Sequence, residues 1–302
     1  MTEKKSLQFL NGFALRIIAM TFMVIDHAGV LLSNYQTDVG GNVGTVIWVL
    51  RLLGRIAFPL FIFLLAEGMH YTRNGWKYMG RIGIIYGLIL LAEIIYIFGI
   101  ARNPSLANGD FPGRNPFTDL VLVGFVLFAL NQKGAKKLFA LIPAGIIILA
   151  CTCSYIEAAR AITISWFPYF LRPDYGMLGL CFGLGFDFAR PIAKGLAKKA
   201  CQAYDVPLED FMATPDYRRN INAIGIFFFL ASTLIFWGIS YVTYDLYNMG
   251  LQSYCLLAIP FLFLYSGKRG YDSKWFRVFS YAFFPVHLVI LFLIFFVSFG
   301  HI

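Results

Sequence analysis

Charged residues are scarce in this sequence of 302 residues. Asp, Glu, Lys and Arg together make up 14% of the chain, whereas 59% is apolar or aromatic, and the mean hydropathy is +0.69. A soluble domain normally carries about a quarter charged residues, since its surface has to be hydrated. The shortage of charge therefore excludes a soluble enzyme, a disordered chain and a small disulfide scaffold. It predicts an all-α polytopic integral membrane protein.

Cysteine is sparse and unevenly spaced. The chain has five cysteines, and an odd number at irregular positions does not indicate a disulfide framework. Cys151 and Cys153 lie too close together, and too far from any histidine, to form a convincing zinc site. We predict that all five are small apolar residues and that the protein has no metal cofactor.

Repeats, low-complexity runs and polar stretches long enough for a soluble domain are also missing. A helix that crosses hydrocarbon needs roughly 20 apolar residues. We predict one integral membrane domain over 1–302, with segment 154–172 as the place for a further outer-surface or re-entrant helix. The longest polar stretch, 191–220, predicts a basic cytoplasmic loop with a surface helix from Pro191 to Tyr204. The nine predicted spans are 12–33, 47–70, 79–100, 117–130, 138–153, 174–190, 221–242, 250–266 and 278–298.

The net charge of +9 is compatible by itself with a nucleic-acid partner. Alternate connections between the predicted spans, however, carry 18 Lys and Arg residues on one side and 4 on the other. Cytoplasmic loops of membrane proteins carry such an excess. The charge therefore predicts a cytoplasmic N-terminus and an external C-terminus, and no nucleic-acid partner. The remaining three positive residues lie inside spans: Arg16, Arg51 and Arg55.

Ionisable residues inside membrane spans are costly and by default mark a functional site. In the predicted topology most of them lie towards the outer side, where they can form one polar cluster. They are Asp26, His27, Arg51, Arg55, Glu93, Asp119 and Asp174, with His287 near the middle of the last span. The structural alternative is that Asp26, Arg55 and Glu93 only pair to lock the helices together.

The first span carries a polar face that suits coenzyme chemistry. Arg16, Met20, Met23 and His27 share one side of a helix. Arg16, near the cytoplasmic end, suits a phosphate, and His27, about 16 Å further along the helix, suits a general base. Asp26 faces elsewhere and is a poor orienter for the His27 ring. The alternative is that Arg16 reaches the headgroups and that His27 is only a hydrogen-bonded bundle residue.

Two prolines lie inside predicted spans. Pro59 is expected to break or kink the second span, because proline removes a backbone donor, and a broken span can expose carbonyl groups to a buried cavity. Pro285 stands two residues before His287. With histidines near both ends of the chain, these features indicate one shared site.

Several blocks of the sequence resemble the TraX family of membrane proteins. The matching blocks run from Leu15 to His27 with its Asp26-His27 pair, from Leu53 to Gly68 with Gly54-Arg55-Ile-Ala-Phe-Pro59, from Tyr71 to Asn74, from Asp174 to Gly176, and from Phe284 to His287. The family is associated with N-acetylation of pilin, and it is similar to a wider class of transmembrane acyltransferases. The resemblance implies that cytoplasmic acetyl-CoA donates to an amine or hydroxyl on the far side of the inner (cytoplasmic) membrane. The acceptor would be a protein amino terminus or a cell-envelope glycan.

On this resemblance the outer cluster is the catalytic centre. His27 is the general base or a transient acetyl carrier, and His287 is a second candidate for proton transfer. Arg55 stabilises the oxyanion or holds an acceptor carboxylate or phosphate. Asp26 and Glu93 position Arg55 or protonate groups as charge develops.

The donor and the acceptor are assigned to opposite sides. Arg16 is expected to hold a phosphate of CoA, together with Arg51, Arg73 and Lys77. The predicted acceptor-binding residues are Asn115, Asp119, Asp174 and Tyr175. Around Asn115 the match to the family is only approximate, and the connecting segments are particular to this chain.

Two other functions remain open from the sequence. A transporter or flippase of a small anionic or lipid-linked substrate would also use broken helices and intramembrane charges, but it usually shows an internal repeat, and nine spans do not halve. A non-catalytic pilus assembly factor is the third possibility.

Overall fold

Long apolar stretches of this chain form helices, because a helix bonds its own backbone N–H and C=O groups where no water is present. The computed structural model describes residues 7–35, 41–95, 116–243 and 248–299. The α-helices in these ranges are α1 Gly12–Asn34, α2 Val43–Gly54, α3 Ala57–Tyr71, α4 Gly75–Ile94, α5 Pro116–Leu130, α6 Leu141–Arg160, α7 Gly176–Tyr204, α8 Leu208–Met212, α9 Pro215–Ser240, α10 Met249–Gln252, α11 Ile259–Phe263 and α12 Lys274–Phe299. Short 3₁₀ helices cover Gly134–Ala140, Tyr169–Leu171 and Ser253–Ala258.

Within the described ranges, five helical stretches are long and apolar enough to cross a membrane. They are Gly12–Asn34, Val43–Tyr71, Gly134–Arg160, Pro215–Ser240 and Lys274–Phe299, and two shorter apolar stretches are Pro116–Leu130 and Met249–Phe263. The predicted class, an all-helical polytopic membrane protein, is confirmed. The count of nine spans and their orientation stay predictions.

The predicted second span is interrupted between α2 and α3. The backbone N–H groups of Arg55 and Ile56 donate to the carbonyls of Leu52 and Leu53, both at 3.2 Å, in three-residue steps. Pro59 lacks an N–H, and its ring clashes with the carbonyl four residues earlier, which is that of Arg55. The expected effect of Pro59 is therefore seen at Arg55, whereas α12 continues through Pro285.

The segment after 190 differs from the prediction. α7 continues through Pro191 to Tyr204, so the helix predicted from Pro191 to Tyr204 is present, but it continues the preceding helix and is not a separate one. The end of the membrane span at 190 stays a prediction. Ala189, Ala193 and Ala197 repeat every four residues and pack against Tyr217 and Ile221 of α9. This buried stripe stabilises the helix beyond the proline.

Segment 154–172 is partly helical. Its first residues extend α6 as far as Arg160, and Ala161 then ends the helix in the left-handed conformation, with φ of 51°. One further 3₁₀ turn covers Tyr169–Leu171. The helix predicted as 138–153 is therefore longer at its C-terminal end than hydropathy indicated.

The chain divides into two compact units. The first unit comprises Met1–Leu64, Gly185–Leu230 and Gly250–Ile302, and the second comprises Leu65–Leu184 and Ala231–Met249. Fully buried side chains of the first include Leu15, Leu60 and Phe229. The prediction of one domain over 1–302 stays a prediction.

In the first unit α1 and α12 run in the same direction. Arg16 lies over the Phe276 ring at 5.5 Å, His27 contacts His287, and Tyr35 stacks on Phe295 at 5.7 Å between ring centroids. Each pair has the same sequence separation of 260 residues.

Backbone hydrogen bonds join the two helices at their N-terminal ends. Leu10 donates to the Leu264 carbonyl at 3.0 Å, and Ser266 donates back to Leu10 at 2.7 Å. The first amides of α1, at Gly12 and Phe13, donate to carbonyls of the segment before α12 at 2.7 and 3.0 Å. These bonds satisfy amides that a helix start leaves open, and they set the axial position of α1 against α12.

Candidate functional site

Two histidines from opposite ends of the chain meet in the first unit. Nδ1 of His27 lies 2.8 Å from Nε2 of His287. Nδ1 of His287 lies 2.8 Å from the Phe283 carbonyl oxygen of its own helix. The His287 ring stacks on Phe283 with 5.1 Å between centroids, and the residue is 5% exposed. The two histidines predicted to share one site are therefore in direct contact.

Arg16 and His27, at the two ends of the polar face predicted for α1, both contact α12. Met20 and Met23 are buried between its two ends. Arg16 contacts Phe276, and His27 packs edge to face against Phe284 at 5.8 Å between ring centroids. Helical spacing alone thus identified Arg16 and His27 as residues that share α12 as a neighbour.

Asp26 lies on a different side of α1 and bridges Arg51 of α2 and Arg55, which directly follows α2. Its Oδ2 accepts from Nη1 of Arg51 at 2.7 Å, and its Oδ1 accepts from Nη2 of Arg55. Arg55 also donates through Nε to the Arg51 carbonyl at 3.2 Å. The side chains of Arg55, Asp26 and Arg51 are 5%, 15% and 27% exposed, so the network opens towards Arg51.

Two glycines let α1 and α2 approach closely enough for this network. A Cβ on Gly54 would overlap the carboxylate of Asp26, and a Cβ on Gly29 would lie 3.0 Å from Cβ of Leu50. Glycine is the residue that permits such close backbone approach. Gly54 therefore leaves the space that Asp26 occupies.

Gln252, at the end of α10, completes the network and was missed by the sequence reasoning. Its Oε1 accepts from Nη1 of Arg55 at 3.3 Å, and the residue is 7% exposed. Because the arginine can only donate, the amide oxygen of Gln252 must face it. The signal that could have found this residue is a side-chain amide inside the predicted span 250–266, which a search for ionisable groups passes over.

Asp26, Arg51 and Arg55 are two guanidinium groups and one carboxylate, so the formal charge over these three described side chains is +1. Asp26, Arg51 and Arg55 lie close enough to His27 for their charges to act on its ring. A base next to excess positive charge and an amide suits a reaction in which negative charge develops on oxygen. We use the name histidine–arginine site for the six residues that make these contacts: Asp26, His27, Arg51, Arg55, Gln252 and His287.

Asp119 belongs to the second unit and caps a helix there. It is fully buried and accepts from the backbone N–H groups of Asp174 at 2.8 Å, Tyr175 at 3.1 Å and Gly176 at 2.8 Å. These amides lie at the start of α7, where a carboxylate satisfies open donors and the helix dipole. This contact joins three residues that the sequence placed together, and it gives Asp119 a structural role. Acceptor binding by Asp119, Asp174 and Tyr175 stays a prediction.

The other predicted residues belong to the second unit or lie outside the described residues. Arg73 and Lys77 belong to the second unit, near the start of α4, and both are exposed. Asn115 and the side chain of Glu93 lie outside the described residues. The larger cluster that would include Glu93 and Asp119 therefore stays a prediction.

Comparison with known proteins identifies a matching family and a relative. Residues 11–173, more than half of the chain, match the family described as TraX protein. A probable fimbrial assembly protein FimC, serogroup H1, of Dichelobacter nodosus is 34% identical over 94 residues, which are 30% of this chain and 33% of that protein. The chain thus covers a third of the length of this relative. No solved structure matches.

Proposed function

This chain belongs to the TraX family, and we propose that it is a membrane acetyltransferase. It moves an acetyl group from cytoplasmic acetyl-CoA to an amine or hydroxyl at the outer side of the cytoplasmic membrane. The acceptor is a protein amino terminus, such as that of pilin, or a cell-envelope glycan.

The contact between His27 and His287, next to the arginine pair bridged by Asp26, is the observation that carries the proposal. A histidine is the usual general base near neutral pH, and here it lies beside a net positive charge inside an apolar bundle. Ionisable side chains inside a membrane are costly and by default mark a functional site. Acyl transfer uses both groups, since it needs a proton acceptor and stabilisation of an oxyanion.

The chemistry assigned to the site balances as follows. The acceptor nitrogen or oxygen attacks the thioester carbonyl carbon while His27 takes the acceptor's proton. A C–N or C–O bond forms, the C–S bond breaks, and His27 returns the proton to the CoA thiolate. Arg55 and Gln252 stabilise the oxyanion between these two steps, and removal of one such donor typically costs about 10²–10³-fold in turnover.

Arg16 is proposed to bind a phosphate of the donor. It lies eleven residues before His27 on the same face of α1, which corresponds to about 16 Å along the helix. That distance resembles the reach of an extended pantetheine arm between a CoA phosphate and the thioester. The arm would have to run beside this face of α1, because Met20 and Met23 between the two residues are buried. For Arg73 and Lys77, binding of CoA stays a prediction from the sequence.

Transfer from labelled acetyl-CoA by the protein reconstituted in liposomes tests the proposal. The acceptors are a peptide with a free pilin-type amino terminus and an amino sugar, each supplied on the side opposite to acetyl-CoA. We expect His27→Ala and Arg55→Ala to lower turnover at least about 100-fold. The matched control is Arg219→Ala, since Arg219 pairs with Asp216 in an exposed position, with 51% of its side chain accessible. Wild-type turnover by a folded His27→Ala protein would remove His27 from the reaction.

A non-catalytic role in pilus assembly is the second candidate, and the name of the fimbrial assembly relative favours it. The two candidates differ in ligand binding, because a ligand that binds only the folded state raises its stability. Acetyl-CoA should raise the melting temperature of the detergent-solubilised protein if it is the donor. No shift at saturating acetyl-CoA, together with normal piliation in cells that carry His27→Ala, would favour the assembly role.

A further inference from the structure

We propose that His287 is a positioning residue that holds His27 in the tautomer with its proton on Nδ1. Nε2 of His27 is then the single basic atom that the pair presents to a substrate. The catalytic consequence of this inference rests on the proposed acetyl transfer, whereas the tautomer itself does not.

The Phe283 carbonyl determines the protonation of His287. A carbonyl oxygen only accepts hydrogen bonds, and it lies 2.8 Å from Nδ1 of His287. Nδ1 of His287 must therefore carry a hydrogen. In a neutral imidazole the other ring nitrogen then carries none, so Nε2 of His287 is an acceptor.

The same argument determines which ring nitrogen of His27 carries the proton. Its Nδ1 lies 2.8 Å from the bare Nε2 of His287, so a hydrogen bond between them requires the proton on Nδ1 of His27. Neutral His27 then has its lone pair on Nε2. The order of donation is His27 to His287 to the Phe283 carbonyl, and one backbone oxygen thus decides the tautomer of a ring on another helix.

His287 takes the place that a carboxylate often has beside a catalytic or metal-binding histidine. The adjacent carboxylate, Asp26, is engaged by Arg51 and Arg55. His287 is 5% exposed, and a neutral acceptor is cheaper to bury there than a second carboxylate. The neutral ring orients His27 without cancelling the positive charge of the site.

This arrangement accounts for both proton movements of the transfer. When Nε2 of His27 takes the proton of the acceptor amine or hydroxyl, the imidazolium that forms still donates Nδ1–H to Nε2 of His287. The proton on Nε2 then goes to the sulfur that leaves as the C–S bond breaks. His287 needs to contact no substrate atom in either step.

Solid-state NMR of the full chain, labelled with ¹⁵N-histidine in liposomes, reads the tautomers directly. The chain has only four histidines, and His27→Gln, His287→Gln and His70→Gln assign the signals by their loss. At about pH 8, where an ordinary histidine is neutral, we expect His27 to show a protonated Nδ1 and a bare Nε2. A wild-type His27 with its proton on Nε2 would overturn the inference, whatever the variants do.

Two substitutions of His287 separate orientation from packing. In His287→Gln the amide oxygen can still accept from Nδ1 of His27, so we expect the Nδ1–H tautomer and most of the turnover to persist. In His287→Leu the acceptor is lost, and we expect the signals of His27 to shift to the other tautomer or to a mixture, with turnover reduced at least about tenfold. An unchanged His27 tautomer in folded His287→Leu would contradict the inference.

The NMR measurement uses no acetyl-CoA, so it separates this inference from the proposed function. A Nδ1–H tautomer in a protein that transfers no acetyl group would support the positioning role and remove the acetyltransferase. Acetyl transfer by a protein whose His27 carries its proton on Nε2 would do the reverse.

Discussion

Gly54 of α2 faces the carboxylate of Asp26 on α1 with no space for a side chain between them. The residue that follows, Arg55, donates to the same carboxylate. One dipeptide therefore supplies both the space that Asp26 needs and one of the two charges that hold it. The relationship explains why Gly and Arg stand next to each other at the interruption before Pro59.

Gly54→Ala should disrupt the histidine–arginine site. The added methyl group overlaps the Asp26 carboxylate, and overpacking of this kind typically costs about 1–3 kcal/mol. We expect a lower melting temperature and reduced acetyl transfer. Gly238→Ala is the matched control, because Gly238 lies within α9 with open space around it and alanine favours helix. Equal behaviour of the two variants would contradict the steric role of Gly54.

Asp26→Asn should destabilise the protein strongly. It leaves Arg51 and the buried Arg55 without their carboxylate, and breaking a buried ion pair by removing one partner typically costs about 3–5 kcal/mol. The comparison is Asp216→Asn, which removes the exposed ion pair with Arg219 and should change stability by less than about 1 kcal/mol. Unfolding in mixed detergent–SDS micelles measures both. Similar small losses would show that the Asp26 network is not the structural bridge inferred from its contacts.

Asp119→Ala should weaken the start of α7 and leave the chemistry intact. Three backbone amides lose their acceptor, and hydrogen bonds to a charged group are worth about 1.5–3 kcal/mol each, without simple additivity. We expect a lower melting temperature with an unchanged KM for the acceptor in the protein that remains folded. A raised KM for the acceptor at normal stability would instead support the acceptor-binding role predicted from the sequence.

Arg16→Gln should act on the donor alone. If Arg16 holds a phosphate of CoA, we expect KM for acetyl-CoA to rise about tenfold, which corresponds to about 1.4 kcal/mol, with kcat little changed. A short acetyl thioester without the nucleotide serves as the control donor, and its KM should stay the same. An equal rise for both donors would place the effect on the packing of Arg16 against Phe276 rather than on a phosphate.

Much of the fold followed from local properties of the chain. Hydropathy is a sum over neighbouring residues, so it predicted the helical membrane class and located most helices. The helix interruption before Pro59 could also be predicted from the sequence, because the missing N–H of proline acts within the same helical turn. The unbroken continuation of α7 past Pro191 could not be predicted in this way. The alanine stripe that stabilises it packs against Tyr217 and Ile221, which lie on another helix.

The candidate site also has a part that the sequence predicts and a part that depends on tertiary structure. The sequence by itself determined that Arg16 and His27 share a face of α1 and that Asp26 points elsewhere, because helical spacing depends only on residue number. Only the tertiary structure decided that His27 meets His287, 260 residues away, and that Gln252 joins Arg55. The physical reason is that such contacts depend on the direction and axial position of packed helices. Backbone hydrogen bonds at the start of α1, and glycines at the contact of α1 with α2, set that packing. No local sequence pattern indicates it.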